Sequence, residues 1–195
     1  MPDWTPISDA LRRAGVRDVR DDGTTRAMYS SDASLYRVPP TTVVFPQAVD
    51  EVAAVLDVCR AEGVPITARG AGTSVAGNAV GPGVVLDFSR HLGRVLAVDP
   101  DARTAVVEPG VVQAVLQRAA APHGLRFGPD PSTHNRCTIG GMIGNNACGA
   151  RTLGYGRTSD NVVGLELLTG TGEALSLPGA TDAPLLDRLR DVTHA

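Results

Sequence analysis

"TTVVFPQAVDEVAAVLDVCRAEGVPITARG", residues 41–70, holds two periodicities side by side. "TTVVF" (41–45) is β-branched, the composition of a buried strand, and Pro46 stops it. Over residues 48–63, Val52, Val55, Leu56 and Cys59 recur at helical spacing, and Gly63 closes the helix. "VPITARG" (64–70) returns to a strand. Strand, helix and strand joined this tightly predict a parallel βαβ crossover.

Outward from that unit the pattern changes. Upstream, "ISDALRRA" (7–14) reads as a short helix ended by Gly15. Downstream, "GVVLDF" (83–88) is a strand, and "RVLAVDPDARTAVVEPG" (94–110) is a hairpin turning at "DPDA". "VVQAVLQRAAAP" (111–122) is a helix ended by Pro122 and Gly124, and "VVGLELLTGTGEALSL" (162–177) is a second hairpin turning at "GTGE". The tail "APLLDRLRDV" reads as a helix. Parallel and antiparallel signals together predict an α+β fold with two small sheets: a βαβ N-terminal lobe and a second lobe with a mixed or antiparallel sheet.

Composition narrows the function classes. The 195 residues are 43% hydrophobic and 20% charged, ordinary for a globular chain. A net charge of −3 argues against a general nucleic-acid binder. No apolar run is long enough for a transmembrane helix, and "MPDWTPISDALRR" lacks a signal-peptide core. Cys59, Cys137 and Cys148 are too few and too irregular for a disulfide or zinc framework, so a cytoplasmic protein with reduced thiols and no metal site is expected.

The glycines are unevenly placed. Gly63, Gly70, Gly72, Gly77, Gly81 and Gly83 crowd one stretch, and Gly140, Gly141, Gly144, Gly149, Gly154 and Gly156 another. Each stretch carries one charged residue, Arg69 or Arg151, with apolar residues between the glycines, unlike a flexible linker. The first contains "RGAGTSVAGN" (69–78). A Walker A loop would need Lys where Asn78 stands, and a dinucleotide fingerprint would need Gly where Val75 stands. What remains is a strand end and a tight turn of free N–H groups, a nest for an anion such as an internal diphosphate, with Thr73, Ser74 and Arg69 as added donors. A glycine-rich turn with no ligand fits this loop by itself equally well.

The second stretch, "PDPSTHNRCTIGGMIGNNACGARTLGYGRTSDNVVGLELLTGTGE" (129–173), separates these readings. With "PQAVDEV" (46–52), "RGAGTSVAG" (69–77), "VVLDFS" (84–89) and "VEPGV" (107–111), it resembles the FAD-binding domain of the p-cresol methylhydroxylase and vanillyl-alcohol oxidase superfamily. The likeness covers roughly residues 36–195, after an N-terminal helical extension over 1–35. It is greatest to the flavin modules of FAD-linked D-lactate, glycolate and D-2-hydroxyglutarate dehydrogenases, especially long forms fused to an iron–sulfur half.

The resemblance implies FAD between the two lobes. Residues matching Arg69, Gly70, Ala71, Gly72, Thr73 and Ser74, with Gly77 and Asn78, cradle the pyrophosphate. Those matching Pro131, Ser132, Thr138, Ile139, Gly140 and Gly141 lie against the flavin and ribityl chain, and Gly144, Asn145 and Gly149 line the rest of the channel. Thr73 stands where some relatives carry the histidine that attaches FAD, so non-covalent FAD is implied; Cys137 lies near the place of a cysteinyl link in others. The final glycine-rich segment and the substrate domain of these enzymes find no match, so the chain resembles a flavin half truncated at its C-terminal end. The implied reaction is oxidation of a small 2-hydroxy acid by hydride transfer to flavin, with electrons passing to an iron–sulfur domain or an acceptor protein. The catalytic base has no counterpart here; His134, Arg151 and Arg157 are candidates for contact with substrate, and a reading as structural or solvated surface residues fits them at least as well. An oxidase of alcohols, sugars or phenols, and a non-catalytic nucleotide-binding fragment, are the alternatives.

Overall fold

A computed structural model describes Trp4 and residues 6–178. Its contacts divide the chain into two units between Arg94 and Val95.

The first unit is built on a four-stranded sheet of β1 (Val19–Arg20), β2 (Thr42–Val44), β3 (Ile66–Arg69) and β4 (Val84–Asp87), in the order β1-β2-β4-β3. β2 and β3 are parallel to β4, and β1 pairs antiparallel with β2. The expected strand–helix–strand unit is present, with a difference. β4 inserts between β2 and β3, so the two strands flanking the helix do not touch. Val84, Val85 and Leu86 are fully buried, which is the composition a central parallel strand requires. Which strand lies between "TTVVF" and "VPITARG" is a pairing of segments distant in sequence, and the pattern within each strand does not record it.

The expected helices α1 (Ile7–Arg13) and α3 (Val49–Ala61) pack together. α3 buries Val52, Val55 and Cys59, and each valine is worth roughly 1.5–3 kcal/mol when taken fully from water. Its Glu51 is buried, pairs with Arg17 and accepts from Gln47 N at 3.1 Å, so the charge closes the helix start. Residues before 36 also hold α2 (Gly23–Met28), unforeseen in the sequence, whose cap Asp22 accepts from Thr25 N at 2.9 Å. β1 makes this segment part of the first sheet.

The second unit carries two hairpins rather than one sheet: β5 (Val95–Asp99) with β6 (Thr104–Val107), and β7 (Gly164–Leu168) with β8 (Ala174–Pro178). Among the described residues there are therefore three sheets, where two were expected, because neither hairpin extends the other. α4 (Gln113–Ala120) ends in a 3-10 turn over Ala121–His123 and at Gly124, φ +67°. Val111, Leu116, Cys137, Ile139 and Met142 form its core. Two short helices inside the glycine-rich stretch, α5 (Ile139–Gly144) and α6 (Thr152–Tyr155), were not predicted. α5 forms against its glycine content because Thr138 caps it, accepting from Gly141 N at 3.2 Å, while Ile139 and Met142 go into the core. The tail helix lies outside the described residues.

Candidate functional site

β3 ends at Arg69 and the chain leaves the sheet through residues 70–78. Gly72 (φ +66°) and Gly77 (φ +80°) take left-handed turns that side chains resist. Among the described residues, the N–H groups of Gly70, Ala71, Gly72, Thr73, Ser74 and Val75 meet no acceptor in the chain. Ser74 Oγ accepts from Ala76 N at 3.2 Å and keeps its O–H to donate, and Thr73 adds a second hydroxyl. The loop itself carries no acid. Successive free N–H donors at a strand end are the chemistry of a phosphate or diphosphate cradle. Asn78, at its far end, is exposed.

Arg69 was expected to lend charge to this loop. Its Nη1 instead donates to Ser31 O at 3.0 Å and Ala79 O at 2.9 Å, and its Cζ lies 4.8 Å from the centre of the Tyr29 ring. Tyr29 is fixed in turn: its hydroxyl donates to buried Asp87 at 2.6 Å, and its ring meets Phe45 edge-on. Burial and the Asp87 contact push the Tyr29 phenol well above its ordinary value.

The second segment runs from Pro129 to Asn161. Buried Gln113, at the start of α4, donates from Nε2 to Pro129 O at 3.0 Å, while its Oε1 has no partner among the described residues. Asp130 accepts from Arg151 N at 3.0 Å and pairs with Arg151 Nε at 3.2 Å. Gly149 lies against Asp130, where an added Cβ would come 2.6 Å from Oδ1. Ile139 N donates to Val111 O, and Gly140 N to Pro109 O, both at 2.8 Å, which brings "TIGG" onto "VEPGV". Gly140 is required there, since a Cβ would lie 2.9 Å from Pro109 O. The "GRTSDN" motif closes on "NNACG". Buried Thr158 donates to Ala147 O at 2.6 Å, and Ser159 N donates to the Asn146 side chain at 3.0 Å, with Asn146 at φ +43°.

The expected site residues therefore differ in kind. Thr138 and Ile139 are buried, and Thr138 to Gly141 spend their hydroxyl or N–H on caps and chain contacts. Pro131 is buried, Ser132 and Gly144 are exposed, and Asn145 is exposed with Nδ2 donating to Gly141 O at 2.9 Å. A Cβ on Gly144 would meet nothing within 4 Å, so nothing in the described chain demands glycine there. The sequence reading missed Asp32, Gln113, Asp130, Asn146 and Thr158, which shape both segments. Asp130 was legible as an acid between two prolines; the others carried no local signal.

Arg151 is paired with Asp130, and His91 lies 3.6 Å from Asp18. His123 and His134 are exposed. Cys59 and Cys137 are buried and Cys148 exposed, all free. Burial pushes the Cys59 thiol up to about 11 and the Cys137 thiol up as well. Among the described residues no acid, His and Cys cluster could hold a metal, and no helix is long and apolar enough to cross a membrane.

The FAD binding domain family matches residues 40–178. D-2-hydroxyglutarate dehydrogenase of Pseudomonas putida is 39% identical over 175 residues, covering 87% of this chain and 17% of that protein. Glycolate oxidase subunit GlcD of Escherichia coli is 42% identical over 192 residues, covering 96% of this chain and 38% of that protein. The chain thus spans well under half the length of these relatives. Among solved structures, an alkyldihydroxyacetonephosphate synthase superposes with a TM-score of 0.81 at 22% identity, over 93% of this chain and 37% of that one. 6-Hydroxy-D-nicotine oxidase from Arthrobacter nicotinovorans superposes at 0.77 and 24% identity, over 89% and 38%. Both share the fold.

Proposed function

The chain belongs to the FAD binding domain family, and on that premise we propose that it is the flavin module of an FAD-dependent oxidoreductase acting on a 2-hydroxy acid such as D-lactate, glycolate or D-2-hydroxyglutarate. The observation that carries this reading is the run of uncommitted N–H donors over residues 70–75, a donor set that fits the FAD diphosphate. The 2-hydroxy acid class is supported by what the relatives are named for. Residues 36–195 are assigned to the FAD-binding domain, with residues 1–35 as an extension before it.

The residues have separate tasks. Gly70, Ala71, Gly72, Thr73 and Ser74 donate to the diphosphate, and Gly77 and Asn78 complete the loop. Pro131, Ser132, Gly144, Asn145 and Gly149 approach the flavin, while Thr138, Ile139, Gly140 and Gly141 hold that backbone in place. FAD supplies hydride acceptance from the Cα of the hydroxy acid. Binding is non-covalent in this reading, because Thr73 is no nucleophile toward the ring and the Cys137 thiol is buried and held protonated by that burial. Substrate contacts, the base and the onward electron carrier, an iron–sulfur domain or a separate protein, are assigned outside residues 1–195. Free cysteines suit a reducing compartment, and the cytoplasm is proposed.

The test is an absorbance titration of the purified full-length protein with FAD, followed by acid precipitation and assays with the three acids. Flavin that binds and then leaves with the supernatant is expected, with flavin bleaching by one of the acids. Flavin retained in the pellet would refute the non-covalent assignment, and a protein that ignores FAD would refute the module.

Gly144→Ala separates binding from folding. Its Cβ meets open space at the end of α5, so stability should rise slightly, by about 0.5 kcal/mol. FAD affinity should fall about tenfold, the cost of a methyl wedged between backbone and a flat ring. Thermal unfolding and FAD titration of the same variant read both signs; unchanged affinity would remove Gly144 from the flavin contacts.

A further inference from the structure

We propose that Arg69 and Asp32 are positioning residues of the diphosphate loop, a staple that shapes its N–H donors rather than a charge that meets phosphate. The proposal rests on the assignment of residues 70–75 to the FAD diphosphate.

A loop whose N–H groups are reserved for a ligand has few hydrogen bonds of its own, so its shape must come from elsewhere. Here it comes from residues 31–36. Ala33 N donates to Gly72 O at 3.1 Å, and Ala79 N donates to Asp32 Oδ2 at 3.2 Å. The Tyr36 ring covers Gly77 so closely that a Cβ there would lie 3.1 Å from its Cε2. The strap is itself fixed: Ser31 bridges Arg37, Val38 N donates to Ser30 O at 2.7 Å, and Asp32 Oδ1 accepts from Ser34 N at 2.8 Å. Partial burial alone would raise the Asp32 carboxyl. Hydrogen bonds from Ser34 and Ala79, with the Arg69 charge, outweigh it and hold the group below its ordinary value, as an ionised acceptor.

Arg69 joins strap to loop. One Nη1 bridges Ser31 O on the strap and Ala79 O at the loop's far end. The rest of the guanidinium fills the space under Gly72, where a Cβ would come 2.8 Å from Cζ. Stacking on Tyr29, held by Asp87, fixes the plane. One nitrogen makes both carbonyl bonds, so what an ammonium on a flexible stem lacks is the planar group that fills the space at Gly72 and stacks on Tyr29. Ligand-free shape at the loop is therefore set by Arg69 geometry, with its charge secondary.

The test uses the full-length protein stripped of flavin, titrated with FAD and with riboflavin, which lacks the diphosphate. Wild type should prefer FAD. Arg69→Met and Arg69→Lys should each lose FAD affinity by about tenfold or more, the loss expected for hydrogen bonds made by a charged group, and by similar factors. Riboflavin affinity should stay within about twofold. Asp32→Ala should also weaken FAD, although removing a negative charge would by itself tighten an anion. Recovery of wild-type affinity by Lys but not Met would overturn the proposal in favour of direct phosphate contact. Tighter or unchanged FAD binding in Asp32→Ala would overturn it too, and decides alone if the Arg69 variants fail to fold. Wild type that does not distinguish FAD from riboflavin refutes the diphosphate assignment itself, a result separate from any variant.

Discussion

Gly72→Asp is expected to lower FAD affinity at least a hundredfold, about 3 kcal/mol or more. Three costs converge on one position. Gly72 sits at φ +66°, where a side chain costs about 1–2 kcal/mol. Its Cβ would displace the Arg69 guanidinium, which holds Ser31 O and Ala79 O. The new carboxylate would also take up the N–H donors reserved for phosphate and repel that anion. The loop can relieve the strain without ligand by abandoning its shape, so the loss appears in binding more than in folding. Gly72→Ala isolates the conformational part and should lose about tenfold, since it carries the strain without the charge. FAD titration of both variants checks this, with circular dichroism as the control for folding. Asp binding FAD as well as wild type would sink the diphosphate assignment.

Gly149→Ala should destabilise the second unit by about 3 kcal/mol, lowering its unfolding midpoint by roughly 10 °C or more. The backbone at Gly149 is unstrained; the obstacle is Asp130, whose carbonyl and Oδ1 occupy the space a methyl needs. Asp130 cannot step aside cheaply. Pro129 and Pro131 restrict it on both sides, Gln113 holds the Pro129 carbonyl at 3.0 Å, and Arg151 holds its carboxylate. Gly154→Ala is the matched control, since its Cβ would meet nothing within 4 Å. It should change stability by less than about 0.5 kcal/mol. Thermal unfolding of the two variants side by side gives the answer, and equal midpoints would show that the Asp130 clamp bears no weight.

Much of the architecture could be read along the chain. The helix over 48–63 was legible from Val52, Val55 and Cys59, and both hairpins from their alternation and turn residues, because those signals are local. At 69–78 the sequence showed a tight glycine-rich turn and excluded the Walker A and dinucleotide formulas, through Asn78 after Gly77 and Val75 in place of a glycine; between an anion nest and a ligand-free turn the loop by itself did not choose. The α5 helix was not legible, since its glycines argue against helix and only burial of Ile139 and Met142 overrides that preference. The contacts of Arg69 were hidden for a similar reason: Ser31, whose carbonyl accepts from its Nη1, lies thirty-eight residues earlier in the chain.

By itself, then, the sequence determined the helices α1, α3 and α4, the strands β2, β3 and β4, both hairpins, and the order of motifs that marks an FAD-binding domain. Periodicity, turn chemistry and motif order are properties of neighbours in the chain. Tertiary structure alone decided that β4 lies between β2 and β3, that Asp32 and Tyr36 meet a loop they do not adjoin, and that Gln113 holds the Pro129 carbonyl while Arg151 holds Asp130. Those outcomes turn on which buried surfaces and hydrogen-bonding groups meet across long separations, and no residue's local pattern records its distant partner.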